Sequence, residues 1–254
     1  RDAFLLGEVW EDGSNKIAYS QRRRYLLGHE THGLMNYPFR TAALEFLQGG
    51  PAENFVECME ALRENYPRSA YYSAMNMLGT HDNPRILTLL GARPTEPLST
   101  RSQRAAYRLS VEERNRGCRL LMTGAVLLYT FPGSPTVYYG DGAGMEGFGG
   151  PFNRGTYPWG HEDQALLRHF QILGRLRSQR PSLQRGDISY LCAKDHVLVY
   201  SRTDGDELTL VLLNAGEMPA TLQLDWPHAL APDPIWGQQF GAINGKISVT
   251  IPPL

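Results

Sequence analysis

The sequence has almost no net charge, few cysteines and no long apolar run, and each lack removes a class of function. Lys and Arg number 25 against 26 Asp and Glu, leaving a formal net charge of -1. A nucleic-acid partner or an anionic membrane surface calls for a basic face, so neither is expected. A membrane-spanning helix needs roughly 20 consecutive apolar residues. The longest apolar stretch, around 120–131, is interrupted by Thr123 and Gly124 and reads as a buried helix. The three cysteines, Cys58, Cys118 and Cys192, are odd in number and far apart. They fit reduced core thiols, and so a cytoplasmic location, better than a disulfide framework or a zinc site. Internal repeats and low-complexity tracts are also lacking. So are an initiating Met and a secretory leader, although an apolar strand pattern begins at residue 3. That start predicts a piece of a longer protein.

What is present is enough for one large domain or two modest ones: 254 residues, 42% of them hydrophobic. The first 180 residues read as strand-then-helix units. Strands are predicted over 3–10, 33–37 ("GLMNY"), 73–78 ("SAMNML") and 136–139 ("TVYY"). Helices are predicted from Phe39, over 54–66, over 110–130 and over 163–179. Ser110 is placed to cap the third of these, with Glu112 and Glu113 in its first turn. Leu166, Leu167, Phe170, Leu173 and Leu176 form a helical stripe on the fourth. From Gly186 onward the pattern changes to short alternating strands separated by turns such as "TDGDE" at 203–207. Such a module predicts a small β-sandwich. The boundary falls near 180–186, giving domains 1–182 and 183–254.

Repeated β-then-α units with short apolar strands predict a parallel sheet. Glu8, Asn36, His81, Asp82 and Asp141 then fall at C-terminal strand ends, the edge that carries chemistry in a (β/α)8 barrel. Four units make half a barrel. Two carboxylates at neighbouring strand ends, Glu8 and Asp82, suit glycoside hydrolysis, in which an acid protonates the leaving oxygen. A partly apolar pocket beside Trp10 would keep that acid protonated. His81 can donate to a sugar hydroxyl. From spacing alone, these residues could equally satisfy backbone groups at loop ends.

Four motifs in order, "LLGEVW" (5–10), "MNYPF" (35–39), "LGTHDNPRI" (78–86) and "GSPTVYYGD" (133–141), add to this reading. Together they resemble the alpha-amylase superfamily, glycoside hydrolase family 13, and within it the neopullulanase and cyclomaltodextrinase-like group. "PFNRGTYPWG" (151–160) and "ILGRLRSQRPSL" (172–183) extend the resemblance over nearly the whole chain. It implies an α/β fold, the C-terminal half of a (β/α)8 TIM barrel, strands five to eight, followed by an all-β sandwich domain. It implies part of a retaining hydrolase of α-1,4 and, as a further option, α-1,6 glucosidic bonds. A transglycosylase or glucosyl isomerase of the same fold, or a degenerate carbohydrate-binding relative, are the alternatives.

By the same resemblance, Glu8 is the general acid/base and Asp82 the third carboxylate, which favours the distorted sugar ring. His81 and Arg154 contact sugar. Trp10 and Tyr37 are either sugar-facing or packed at the barrel rim, and Arg85 is structural. The partner implied is an α-glucan oligosaccharide or polysaccharide. No cofactor and no metal are implied; "TDGDE", with Asp204, Asp206 and Glu207, reads as a hairpin before a calcium loop. The retaining mechanism also needs a nucleophilic aspartate on the preceding barrel strand, and Asp2 lacks that context. The chain alone is therefore expected to be inactive. Unpaired half-barrel edges predict a homo-oligomer. Two residues depart from the family pattern: Gly142 stands where "YYGD" is usually followed by Glu, and Gly150 where an Asp usually precedes "PxNR".

Overall fold

The computed structural model describes residues 3–28, 30–235, 237–240, 242–243 and 245–252, with only the backbone at 242–243. Asp2 lies outside them. Strand β1 (Leu6–Gly7) is far shorter than the apolar pattern around it. A hairpin of β2 (Ile17–Ala18) and β3 (Gln21–Arg22) follows, turned by Tyr19 and Ser20, both at positive φ. β4 (Gly33–Leu34) then pairs with β1 in parallel. The strand predicted to reach Tyr37 stops at Leu34 because the next residues start a helix. Asn36 caps α1 (Tyr37–Leu47): its side chain accepts from the Phe39 N–H at 3.1 Å, and Pro38 sits in the first turn.

Helices α2 (Ala52–Asn65) and α3 (Arg68–Tyr72) lead to β5 (Met75–Met77). Next come α4 (Ile86–Gly91), α5 (Arg101–Ala106) and the 20-residue α6 (Val111–Thr130). Ser110 caps α6 reciprocally with Glu113. The Ser110 hydroxyl accepts from the Glu113 N–H at 3.2 Å, and the Glu113 carboxylate accepts from the Ser110 N–H at 2.8 Å. β6 (Ser134–Thr136) pairs in parallel with β5. It lies earlier than the predicted 136–139, because Tyr138 and Tyr139 leave the strand to flank Arg85. A single 3-10 turn (Asp141–Ala143), α7 (Gln164–Gln179) and α8 (Pro181–Arg185) complete this part. A parallel bridge between Met35 and Met75 joins the two strand pairs. The row is therefore β1, β4, β5, β6, with every C-terminal end on one side.

The remaining strands are antiparallel. β7 (Asp187–Lys194), β8 (Val197–Asp204) and β9 (Glu207–Asn214) form a meander. β10 (Ala220–Asp225), β11 (Ala242–Ile243) and β12 (Lys246–Ile251) form a second sheet in the order β10, β12, β11. Six successive residues of β8, from Val197 to Arg202, are buried, because both faces of this strand are covered. Successive side chains point to opposite faces. Val197 and Val199 join Leu224, Ile247 and Val249 of the second sheet, while Leu198 and Tyr200 join the helical core. That helical core runs from Phe39, Phe55 and Phe131 into Tyr200 without a break, so the change of sequence pattern near 182 is not a break in packing. Arg202, fully buried, bolts the junction by donating to the Gly186 carbonyl at 2.8 Å and to the Thr130 carbonyl. The "TDGDE" segment is a tight hairpin with Gly205 at φ +57°. Its Glu207 carboxylate accepts from the Ser182 N–H and hydroxyl.

Candidate active site

Glu8 is the residue after β1, Asn36 the second after β4, and His81 and Asp82 the fourth and fifth after β5. The two carboxylates are not on adjacent strands, since β4 lies between β1 and β5. A residue from the end of β4 bridges them. The Tyr37 hydroxyl donates to Glu8 Oε1 at 3.3 Å and also bonds Thr80, two residues before Asp82. Burial pushes the Tyr37 phenol upward in pKa; the charges of Glu8 and Asp82 add to the rise, and the Thr80 bond opposes it.

Trp10 lies flat on Tyr37, with ring centroids 4.1 Å apart and planes 11° apart, and its indole N–H donates to Glu8 Oε1 at 3.2 Å. The Tyr37 ring is thereby buried, and only its hydroxyl reaches the site. Trp10 itself is 52% exposed and Glu8 faces solvent, so the apolar enclosure expected beside Trp10 is not formed by these residues.

His81, Asp82 and Arg154 meet on the far side. The His81 Nε2 lies 3.3 Å, and the Arg154 Nη2 3.4 Å, from the same oxygen, Asp82 Oδ1. Arg154 also donates from Nε to the His81 carbonyl at 3.1 Å. Asn153 ties the loops together by donating to the carbonyls of His81 at 2.6 Å and Asn83 at 2.7 Å. The Thr80 hydroxyl accepts from the Asp82 N–H and the Asn83 amide, closing the turn.

A buried polar layer supports this turn. Asp141 is 3% exposed, with Oδ1 3.3 Å from the Arg85 guanidinium. Its other oxygen fills the space where a side chain at Gly79 would stand: a Cβ there would lie 2.2 Å from Asp141 Oδ2. Burial raises the Asp141 carboxyl to about 7, against the pull of Arg85 and Arg40. Arg85 is held between the rings of Tyr138 and Tyr139, each 4.4 Å from its guanidinium carbon, and donates to the Tyr139 carbonyl. Arg40 donates to the Leu78 carbonyl at 2.8 Å. Asn36 donates to Asn76 at 2.9 Å, and Asn76 to the Pro132 carbonyl at 2.7 Å. Sequence reasoning did not find Arg40, Asn76 or Thr80; Asn76 is a polar residue inside the apolar strand β5, Arg40 a charged one on the buried face of α1, and Thr80 lies in the turn that follows β5.

The two departures from the family pattern have different surroundings. A Cβ at Gly142 would stand 3.2 Å from the Phe170 ring of α7, so the helix presses on that position. A Cβ at Gly150 would meet only the Asn153 side-chain oxygen, at 3.9 Å. Among the described residues, no group of three or more His, Cys, Asp or Glu could hold a metal ion, and no helix is long and apolar enough to cross a membrane.

Comparison with known proteins follows the same lines. The family model "Alpha amylase, catalytic domain" matches residues 1–184. A cyclomaltodextrinase from Geobacillus thermopakistaniensis is 32% identical over 99% of this chain and 39% of its own length. Neopullulanase 2 from Thermoactinomyces vulgaris is 28% identical, again over 99% of this chain and 39% of its own length. The solved structure of a cyclomaltodextrinase superposes with a TM-score of 0.78 at 26% identity, over 99% of this chain and 39% of that one. The chain thus spans about two fifths of the length of these relatives.

Proposed function

The chain belongs to the alpha-amylase family, and from that premise we propose that it carries the acid/base side of a retaining α-glucan hydrolase site. The observation that supports this most is the link between carboxylates. Glu8 and Asp82 stand at C-terminal strand ends of one parallel row, and the buried Tyr37 joins Glu8 to the turn that carries Asp82. Glu8 serves as general acid/base at the glycosidic oxygen, and Asp82 as the carboxylate facing sugar hydroxyls and the developing positive charge. Both side-chain contacts to Asp82 fall on Oδ1, which leaves Oδ2 for the sugar. His81 and Arg154 line the same edge, and the exposed indole of Trp10 offers a flat face for a pyranose.

The four parallel strands correspond in this reading to half of a (β/α)8 barrel, with residues 183–254 as the appended β-sandwich domain. A retaining reaction forms a covalent bond to a nucleophile close to the acid. We assign that nucleophile to the part of the family that the chain does not match. The substrate class, α-1,4-linked and also α-1,6-linked glucan, follows the relatives' names, cyclomaltodextrinase and neopullulanase.

The test is a chimera in which the unmatched remainder of the cyclomaltodextrinase precedes this chain. The chimera should release reducing sugar from cyclodextrin or maltooligosaccharide, and the 254-residue chain alone should release none. Glu8→Gln in the chimera should lower kcat by about 10²–10⁴-fold. An unchanged kcat in that variant, with substrate still bound, refutes the assignment. Transfer products in excess of free sugar would move the reading to a transglycosylase.

A further inference from the structure

The segment between β1 and β4 carries three arginines in succession, Arg22, Arg23 and Arg24, which the strand-end chemistry does not use. β3 ends at Arg22, and the Arg23 N–H still donates to the Lys16 carbonyl at 2.8 Å, so the hairpin holds the backbone of this run. The chain then turns at Arg24, whose carbonyl accepts from the Leu27 N–H at 3.1 Å. Across from it, the loop before Ser14 is tied to the end of α2. The Gly13 N–H donates to the Tyr66 hydroxyl at 3.0 Å, and the Asn65 amide to Asp12 at 2.7 Å. Between hairpin and helix end lies a cleft of about 260 Å³, whose lining includes Ser14, the three arginines, Glu64 and Asn65. That volume is smaller than a site for a drug-sized ligand and suits a compact polar molecule.

The charges in this cleft do not cancel. Three guanidinium groups and one carboxylate, Glu64, line it, an excess of two positive charges. Among the described residues, no carboxylate lies within ion-pair distance of any of the three arginines. Arg22 donates to the neutral Asn15 side chain at 2.8 Å, and the Arg23 guanidinium lies 5.3 Å from the centre of the Tyr19 ring. These contacts orient the groups without neutralising them. The neighbouring carboxylates are engaged elsewhere. Asp12 accepts from the Ser14 N–H and the Asn65 amide, Glu30 accepts from the Arg24 backbone N–H, and Glu11 pairs with Lys16. Two polar groups are also left over: Ser14 Oγ and Arg23 Nε are buried without a hydrogen-bond partner. Buried polar groups in native proteins are nearly always bonded. Both of these belong to residues that line the same cleft.

The unmatched charge sorts the ligands. A metal ion is repelled, and an apolar molecule or a neutral saccharide covers the cations without pairing them. A single carboxylate answers half of the excess. A phosphomonoester carries close to two negative charges at pH 7 and three strong acceptor oxygens. Guanidinium forks fit its edges two hydrogen bonds at a time. The Ser14 hydroxyl supplies one more donor.

We propose that this cleft is a binding site for a phosphomonoester. It is separate from the strand-end carboxylates: Asn65 lies just ahead of α3, which leads into the N-terminal end of β5, whereas Asp82 follows the C-terminal end. The proposal does not depend on the hydrolase reading. The phosphate group is shared by two sources, free inorganic phosphate and a phosphorylated sugar.

The experiment is a calorimetric titration of the 254-residue chain at low ionic strength, with inorganic phosphate and separately with glucose-6-phosphate. Each should saturate a single site. Tighter binding of glucose-6-phosphate identifies a phosphorylated sugar as the ligand, and equal binding identifies the phosphate group alone; either supports the site. Arg22→Gln combined with Arg24→Gln, both at exposed positions, should weaken binding about tenfold or more. Arg23→Lys, which keeps the charge but loses the fork, should weaken it too, and so should Ser14→Ala. Arg119→Gln on α6 and Arg154→Gln at the strand ends should leave it unchanged. Failure to saturate, or an equal loss in the Arg119→Gln or Arg154→Gln variant, overturns the proposal.

Discussion

Replacing Asp141 with asparagine should flatten the pH dependence of stability above pH 4. The carboxyl is buried under Gly79 and raised from its ordinary 3.8 to about 7, chiefly by burial. A carboxyl with a higher pKa in the fold than in the unfolded chain binds its proton more tightly when folded. Its contribution is therefore complete below pH 4 and is lost as pH rises through about 7. The gap between 3.8 and about 7 corresponds to at most about 4 kcal/mol. Interior relaxation toward a higher effective dielectric reduces it to ~2–4 kcal/mol.

Asparagine has the same shape, keeps an oxygen for Arg85 and cannot ionise. Urea unfolding of both proteins at intervals from pH 4.5 to 8 gives the assay. The stability of the natural chain minus that of Asp141→Asn should fall by ~2–4 kcal/mol across this range. Other titrations cancel in the difference. Burial holds His169 below its usual range, so by itself it makes stability fall as pH drops below 6.5. Arg68 first, and then Tyr72, hold Asp187 low, so its contribution is lost only below the ordinary carboxylate range. A difference that stays flat, or grows with pH, refutes the reasoning: it would mean that Arg85, at 3.3 Å, outweighs burial and keeps Asp141 ionised.

Two further substitutions test the frame around the site. Gly79→Ala places a Cβ 2.2 Å from Asp141 Oδ2, so the turn carrying His81 and Asp82 must move; we expect a loss of ~1–3 kcal/mol by urea midpoint, and recovery of much of it when Asp141 is shortened to Ala. Ser110→Ala removes the reciprocal cap of α6 and should cost about 1 kcal/mol, read by the same midpoint, with the α6 core left intact.

The parts of the fold legible in the sequence were those decided by neighbours along the chain. Ser110 and Glu113 announce the start of α6 because a cap needs only three residues. The stripe through Leu166, Phe170 and Leu173 gives α7 its buried face for the same reason. Strand lengths were misjudged where apolar residues serve another purpose. Tyr37 reads as the end of a strand but is the first residue of a capped helix, and Tyr138 and Tyr139 read as a strand but close on Arg85. The supporting ion pair was illegible because Arg85 and Asp141 are 56 positions apart and nothing in either local pattern names the other.

The arrangement of polar groups separates two tasks that one set of residues could not perform together. In the proposed reading a carboxylate that meets sugar must stay reachable, and both Glu8 and Asp82 face solvent. Exposed ion pairs such as Arg154 with Asp82 hold a side chain only weakly, by ~0.2–1 kcal/mol. Precision has to come from below. The turn from Gly79 to Asp82 is fixed by the Thr80 hydroxyl, by Asn153 and by the buried oxygen of Asp141 against Gly79. Tyr37 transmits the same order to Glu8 from a buried ring through its hydroxyl. In the proposed site Arg154 has Asp82 and the His81 carbonyl as its contacts, which turns the guanidinium toward the carboxylate.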